Sequence, residues 1–457
     1  MLDLLPQHGV GGSTDLPVPF LYAVVGASWA LTISFAVLAF AWKEPRLQPT
    51  AGERPGGGAG PWAAERPGGG AGPWAAEPSG GGAGPWAAER PGDGQAEPAR
   101  RPWLAVLGAL LAAWFLGALF LGPDDASNPG IGAFYVLVWV GLVPLALLAG
   151  HVWKDLSPWR SVQWLVGRVT GRPDGFVVYR PTWGYWPAAA GLFAFVWLEL
   201  ASPDAGSVDA VRTWVAVYVV VTVAGGVVFG PRWFDRADPF DVYSAVVARL
   251  APLVRDRRLA PHNPLRSLPL LPVAPGIVAA VSVLLGSTAF DSFSASQAWQ
   301  SAAHSTPTTS LVLLLFCVVV AVAFVAASVA TGGVTSAQRR ALPGLMAHSL
   351  VPIVVGYVFA HYLTYLVERG QGVVIGLLQL LGAGDGLTVS YVLSEHPDLL
   401  AVYKVGFVVA GHVVAVVAAH DKALEVLPRA HRLTGQLAML VLMVGYTFTG
   451  IYLLLSV

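Results

Sequence analysis

Four histidines sit inside two strongly apolar stretches of this chain: His348 and His361 in one, His412 and His420 in the other. An imidazole at membrane depth is costly unless it meets a partner or a cavity, so each is a candidate functional group. Neutral imidazole ligates copper, zinc or haem iron, and it also relays protons near neutral pH. The four form a candidate metal set, with Tyr357, Glu368 and Asp421 as the candidate catalytic acids and bases beside them.

Spacing limits how these groups can meet. Pro352 lacks the N–H that would bond the His348 carbonyl, so a kink and a free carbonyl are expected there. Tyr357, His361 and Tyr365 recur every four residues, and Glu368 extends that polar stripe by a turn. Lys404, His412 and His420 are eight apart, about 12 Å along a helix axis with roughly 80° of drift. Gly406, Ala410 and Gly411 leave room for a close helix or a flat ligand. His348 and His361 are separated by about 20 Å, so the two pairs cannot both be level. One metal centre drawing on two or three histidines is easier to build than two stacked sites. In the structural reading of the same residues, each ring bonds a neighbouring carbonyl or tyrosine and holds helices together.

The elements that carry these groups follow from composition. The chain has 457 residues, 55% hydrophobic and 12% charged, and a mean hydropathy of +0.61. That balance predicts an all-α, polytopic transmembrane helical bundle in a lipid bilayer. Ten spans are expected, at 17–42, 103–122, 131–150, 183–201, 208–230, 271–287, 310–331, 341–366, 399–420 and 436–457. With the N-terminus outside, the loops after odd-numbered spans are cytoplasmic and hold all 27 Lys and Arg except Arg212, Arg369 and Lys404. Both termini then face outward from a plasma membrane. The first apolar run lacks a basic leader and reads as a retained span. Zero net charge and the lack of a basic block argue against a nucleic-acid partner. A single cysteine, Cys317, excludes an internal disulfide and a thiolate cluster.

Three units are expected: 1–42 as outer segment plus first helix, 43–101 as linker, and 102–457 as a nine-helix core. The linker repeats Gly-Pro-Trp-Ala-Ala-Glu, with Trp62, Trp74 and Trp86 twelve apart. Its composition predicts a disordered cytoplasmic spacer; a tryptophan-anchored tether is the alternative.

Two cytoplasmic loops look like copies. One reads Trp153, Asp155, Ser157, Pro158, Trp159; the other reads Trp233, Asp235, Asp238, Pro239, Phe240. Ser157 and Asp238 are expected to cap helices that begin at the prolines, with Asp241 in the second helix's first turn. Apolar positions then recur at helical spacing: Trp159, Val162, Leu165 and Val169, and Phe240, Tyr243, Val247 and Leu250. Both predict short amphipathic interfacial helices, and together an internal repeat over spans two to five. His151, Asp155, Asp235, Asp238 and Asp241 could instead gather a divalent ion. Glu199 is either a buried acid or a hydrated one near the outer boundary. Outside, 291–309 reads as a polar loop containing His304, and the short apolar stretch 373–381 as a surface segment or lid.

Several motifs resemble those of bacterial multi-pass proteins known as fenitrothion hydrolases. They are His8-Gly9 with Asp15-Leu16-Pro17-Val18-Pro19, Asp238-Pro239-Phe240-Asp241-Val242-Tyr243, Ser287-Thr288-Ala289-Phe290-Asp291, Ala347-His348-Ser349-Leu350-Val351-Pro352 and Ala419-His420-Asp421. The resemblance covers the chain apart from the linker and implies hydrolysis of an apolar organophosphate, with a metal-activated hydroxide as the usual agent. Carboxylates near the histidines are few: Glu368, Asp421 and Asp385. The 13-residue histidine spacing is also similar to that of copper-binding monooxygenase subunits and bis-histidine cytochrome b helices. The monooxygenase pattern has an aspartate where Gly344 stands, and the cytochrome pattern wants a wider second pair than His412 and His420.

Two functions follow as expectations. One is a hydrolase or oxidoreductase with an intramembrane copper, zinc or haem site, acting on an apolar small molecule. The other is a transporter or membrane scaffold that uses the histidines for proton relay or helix packing. Repeated span pairs favour the transporter, and a scarcity of intramembrane carboxylates counts against it. The sequence leaves the oligomeric state open.

Overall fold

The computed structural model describes residues 13–47, 102–125, 127–255 and 259–455. The linker beyond Leu47 and the motif at His8 and Gly9 lie outside the described residues.

Eight helices among the described residues are long and apolar enough to cross a membrane, and one bent pair adds a ninth. In chain order the main elements are α1 (Phe20–Ala41), α2 (Pro102–Leu121), and α3, the bent pair Pro129–Val140 and Leu142–Ala149. Then come α4 (Pro158–Thr170), α5 (Trp186–Leu200), α6 (Val208–Phe229), α7 (Pro239–Val247) and α8 (Ile277–Ser294). The rest are α9 (Thr306–Val329), α10 (Ser336–Gln379), α11 (Pro397–Val426) and α12 (Thr434–Leu455). The one sheet among the described residues is a hairpin of β1 (Leu253–Arg255) and β2 (Leu259–Pro261), with Val254 opposite Ala260.

The peripheral helices expose large apolar side chains, such as Trp29, Ile33 and Phe40 on α1, Val220 on α6, and Leu311 and Val322 on α9. Hydrocarbon solvates these surfaces and water does not; the chain is a multi-pass membrane protein. α8 and α10 are the most enclosed of the spanning helices.

The expected span at 183–201 is corrected. α5 has 15 residues, about 22 Å, against about 30 Å of hydrocarbon. It serves as an internal strut instead. Its fully buried Phe195 is met by the rings of Phe134, Trp139, Trp214 and Phe240, with centroids 4.6 to 5.6 Å away. Offset and edge contacts of this kind weld α3, α5, α6 and α7 together.

α10 also differs from expectation. After a capping box at Thr335 and Gln338, it runs through a 3-10 turn at Ala347–Leu350, an α segment, a π turn at Tyr365–Arg369 and a last α segment to Gln379. Residues 373–379 are therefore a continuation of the helix, with Val373 packed on Gly132 of α3, rather than a separate surface lid. The His348 carbonyl is not free, because the tightened turn lets the Val351 N–H bond it. α10 and α11 cross where Gly356 and Gly411 meet: a Cβ on Gly356 would lie 2.5 Å from the Phe407 carbonyl oxygen.

The two repeated loops share a backbone. Each opens on a glycine in the same positive-φ conformation, Gly150 (φ 74°) and Gly230 (φ 71°), which L side chains rarely adopt. Short helices follow (Val152–Leu156 and Pro231–Ala237), then α4 and α7. Past that point the copies diverge. α4 buries Arg160 and Gln163 and exposes Val162, Trp164, Leu165 and Val169, as an interfacial helix should. α7 is enclosed over nearly its whole length, so its interfacial placement is corrected to a position inside the bundle. Asp238 caps α7 through Phe240 and Asp241 N–H groups, whereas Ser157 makes no cap bond to α4.

Candidate functional site

The four histidines do not build a common centre. His348 donates from Nδ1 to the Leu345 carbonyl (3.0 Å), and His412 from Nδ1 to Val408 (2.8 Å). Each thereby carries its proton on Nδ1 and leaves a buried Nε2 without a hydrogen bond, the tautomer used by metal ligands. The Ala418 backbone of α11 also approaches His348, and the Lys422 charge lies within electrostatic reach of it. His420 faces Gln436 Oε1 (2.8 Å) and the Trp42 carbonyl (2.9 Å), and His361 is committed to α8. Among the described residues, no three His, Cys, Asp or Glu side chains are placed to hold one metal ion. The expected shared centre is corrected for a local reason: His348 and His412 are pinned by carbonyls one turn back on their own helices, and the other two by different neighbours.

The candidate catalytic residues are likewise dispersed. Glu368 accepts the Leu393 and Ser394 N–H groups and the Ser394 hydroxyl (3.1, 2.8 and 2.6 Å), anchoring the connection before α11. Asp421 accepts Trp42 Nε1 (3.0 Å) and the Arg46 and Leu47 amides (2.6 and 3.2 Å). With His420, it straps the chain leaving α1 onto α11. Lys404 is buried within electrostatic reach of Asp15, and Asp385 is exposed.

Tyr357 and His361 belong to a different constellation. Asp291 was expected in an outer loop, but α8 continues through Ser294 and encloses it. Its Oδ2 accepts the Tyr362 hydroxyl at 2.6 Å and faces His361 Nε2 at 2.9 Å. His361 Nδ1 meets Ser292 Oγ (3.1 Å), which meets the Tyr357 hydroxyl (2.7 Å). Tyr357, Ser292, His361, Asp291 and Tyr362 thus form one unbroken hydrogen-bonded chain between α8 and α10. Glu199 of α5, its Oε2 enclosed and without a hydrogen bond, lies within electrostatic reach of Asp291 and of Tyr135, Tyr243, Tyr362 and Tyr365. Tyr135 and Tyr365 sit in the two π segments, which pack against each other. Such segments recur at functional sites. The sequence signal for Asp291 was present: Phe290 and Phe293 continue the apolar pattern past Ser287.

A second buried network joins the repeated loops. Asp241, fully buried, takes His151 Nε2 on one oxygen (2.7 Å) and Arg160 Nε on the other (2.8 Å). Arg160 also reaches Asp235 (2.7 Å) and lies 4.9 Å over the Phe234 ring. Burial opposes the Asp241 charge, but Arg160 and His151 overcome it and hold the carboxyl below the ordinary range. Burial, then the charge of Asp241, pushes the neighbouring Asp238 carboxyl up. These contacts engage Asp235 and Asp241, two of the acids expected to gather a divalent ion, with Arg160, which lies on the buried face of α4.

Compared with family models, curated proteins and solved structures, the chain matches none.

Proposed function

We propose that this multi-pass membrane protein is a proton-coupled transporter whose proton-carrying groups are Asp291, His361 and Glu199. The observation that carries this reading is the His361–Asp291 contact of 2.9 Å inside a five-group hydrogen-bonded chain. An imidazole and a carboxylate sharing a proton at membrane depth are expensive to maintain and are typical of proton relays. Glu199 supplies a second acid within electrostatic reach of the first, which supports the reading. The π segments and the repeated loops are features that transporters commonly use to form a polar interior within an apolar bundle. The metal-dependent hydrolysis implied by the family resemblance draws less support, because among the described residues no three candidate ligands come together.

The test is a pH jump across a supported membrane containing the purified protein. The proposal expects a transient proton current that falls by at least about tenfold, or ~1.4 kcal/mol in barrier, when Asp291 is replaced by Asn. A current no larger than that of protein-free lipid, or one unchanged in Asp291→Asn, would overturn it.

A further inference from the structure

A cavity of about 30 Å³ lies between α9, α10, α11 and α12, and every methionine after Met1 lines it: Met346, Met439 and Met443. Met439 and Met443 are one turn apart on the same face of α12, and Met346 ends the first segment of α10. All three are buried. The polar lining comprises His420, Gln436 and Ser328, and each is already engaged: His420 with Gln436 and Trp42, Gln436 with Arg432, and Ser328 with Phe324. The lining side chains with a donor atom and no hydrogen bond are then the three methionine thioethers.

We infer that Met346, Met439 and Met443 form a binding site for a single soft monovalent cation, Cu(I). No carboxylate lines the cavity, so a hard divalent ion would lose its hydration with no anion to offset the loss. Thioethers select Cu(I), whose single charge makes an uncharged donor set sufficient. The space is too small for an organic ligand, for which pockets of roughly 300 Å³ or more are usual. Methionine also fills irregular gaps in cores, and leucine does so equally well without sulfur, which gives a clean discriminator.

The experiment titrates Cu(I) anaerobically into the purified full-length protein against a chromogenic Cu(I) chelator, and records copper-edge X-ray absorption of the product. The site should bind one Cu(I) per chain with a sulfur-only inner shell. Met439→Leu/Met443→Leu should weaken binding at least about tenfold while leaving thermal unfolding in place. Asp291→Asn should leave copper binding unchanged, so this inference and the transport reading fail separately. Should the double variant not fold, Met346→Leu is read the same way. No competition by the parent protein, an inner shell of nitrogen or oxygen, or full affinity in the leucine variant would overturn the assignment.

Discussion

Replacing Arg160 by Met tests whether the buried network holds the two repeated loops together. The guanidinium makes two hydrogen-bonded ion pairs, and one of its partners, Asp241, is wholly enclosed. Removing the cation leaves that carboxylate facing only His151, and breaking a buried pair from one side costs about 3–5 kcal/mol. The Asp235 arm is different. Its carboxylate is one-third exposed, so Asp235→Asn is expected to cost less than about 1 kcal/mol. The cost of Arg160→Met belongs to the stranded charge rather than to the lost attraction. Pairing it with Asp241→Leu should therefore restore most of the stability, to within about 1–2 kcal/mol of the parent. Equilibrium unfolding in mixed detergent micelles measures all four proteins. An Arg160→Met cost no larger than that of Asp235→Asn, or a double variant less stable than Arg160→Met alone, would show that the buried network does not hold the loops together.

Asp238→Asn should flatten the pH profile of stability. Burial and Asp241 raise the Asp238 carboxyl, so its contribution is fully present below the ordinary carboxylate range and is lost as pH climbs from there through the raised value. Asn keeps the cap on α7 but cannot ionise, and melting followed from pH 4 to pH 8 should no longer fall on this account. Asp241 has the opposite sign: its contribution is present above the ordinary range and lost as pH falls through the depressed value, so Asp241→Asn should blunt acid unfolding. Gly356→Ala places a methyl 2.5 Å from a backbone carbonyl of α11, and should destabilise the protein by about 1–3 kcal/mol in the same unfolding assay. Asp421→Ala should speed hydrogen exchange at the Arg46 and Leu47 amides while leaving the middle of α11 protected.

Hydropathy located most of the spanning helices within a few residues, because lipid imposes one rule on every span. It misjudged α5, which is apolar for a different reason: one face, with Leu192, Phe195 and Val196, packs wholly against protein, while Trp186 stays exposed. The duplicated loops were readable from Trp153 and Trp233 and the prolines that follow, yet the burial of α7 was not, since Phe240 and Tyr243 suit an interface and a core equally well. The histidines were correctly singled out as buried, but their company was not legible. Which ring meets which depends on helix phase and on neighbours far apart in sequence, such as His361 with Asp291 and His420 with Trp42. Ending α8 at Ser287 hides Asp291, the carboxylate that His361 and Tyr362 meet.

A proton relay through the Asp291–His361 pair requires that the pair exchange a proton with the surrounding solution. Infrared difference spectroscopy of the membrane-embedded protein across a pH step reads this directly. A carboxyl C=O band that appears on acidification and is absent in Asp291→Asn is the expected result. Spectra with no carboxyl change, or with a change that survives Asp291→Asn intact, would contradict it.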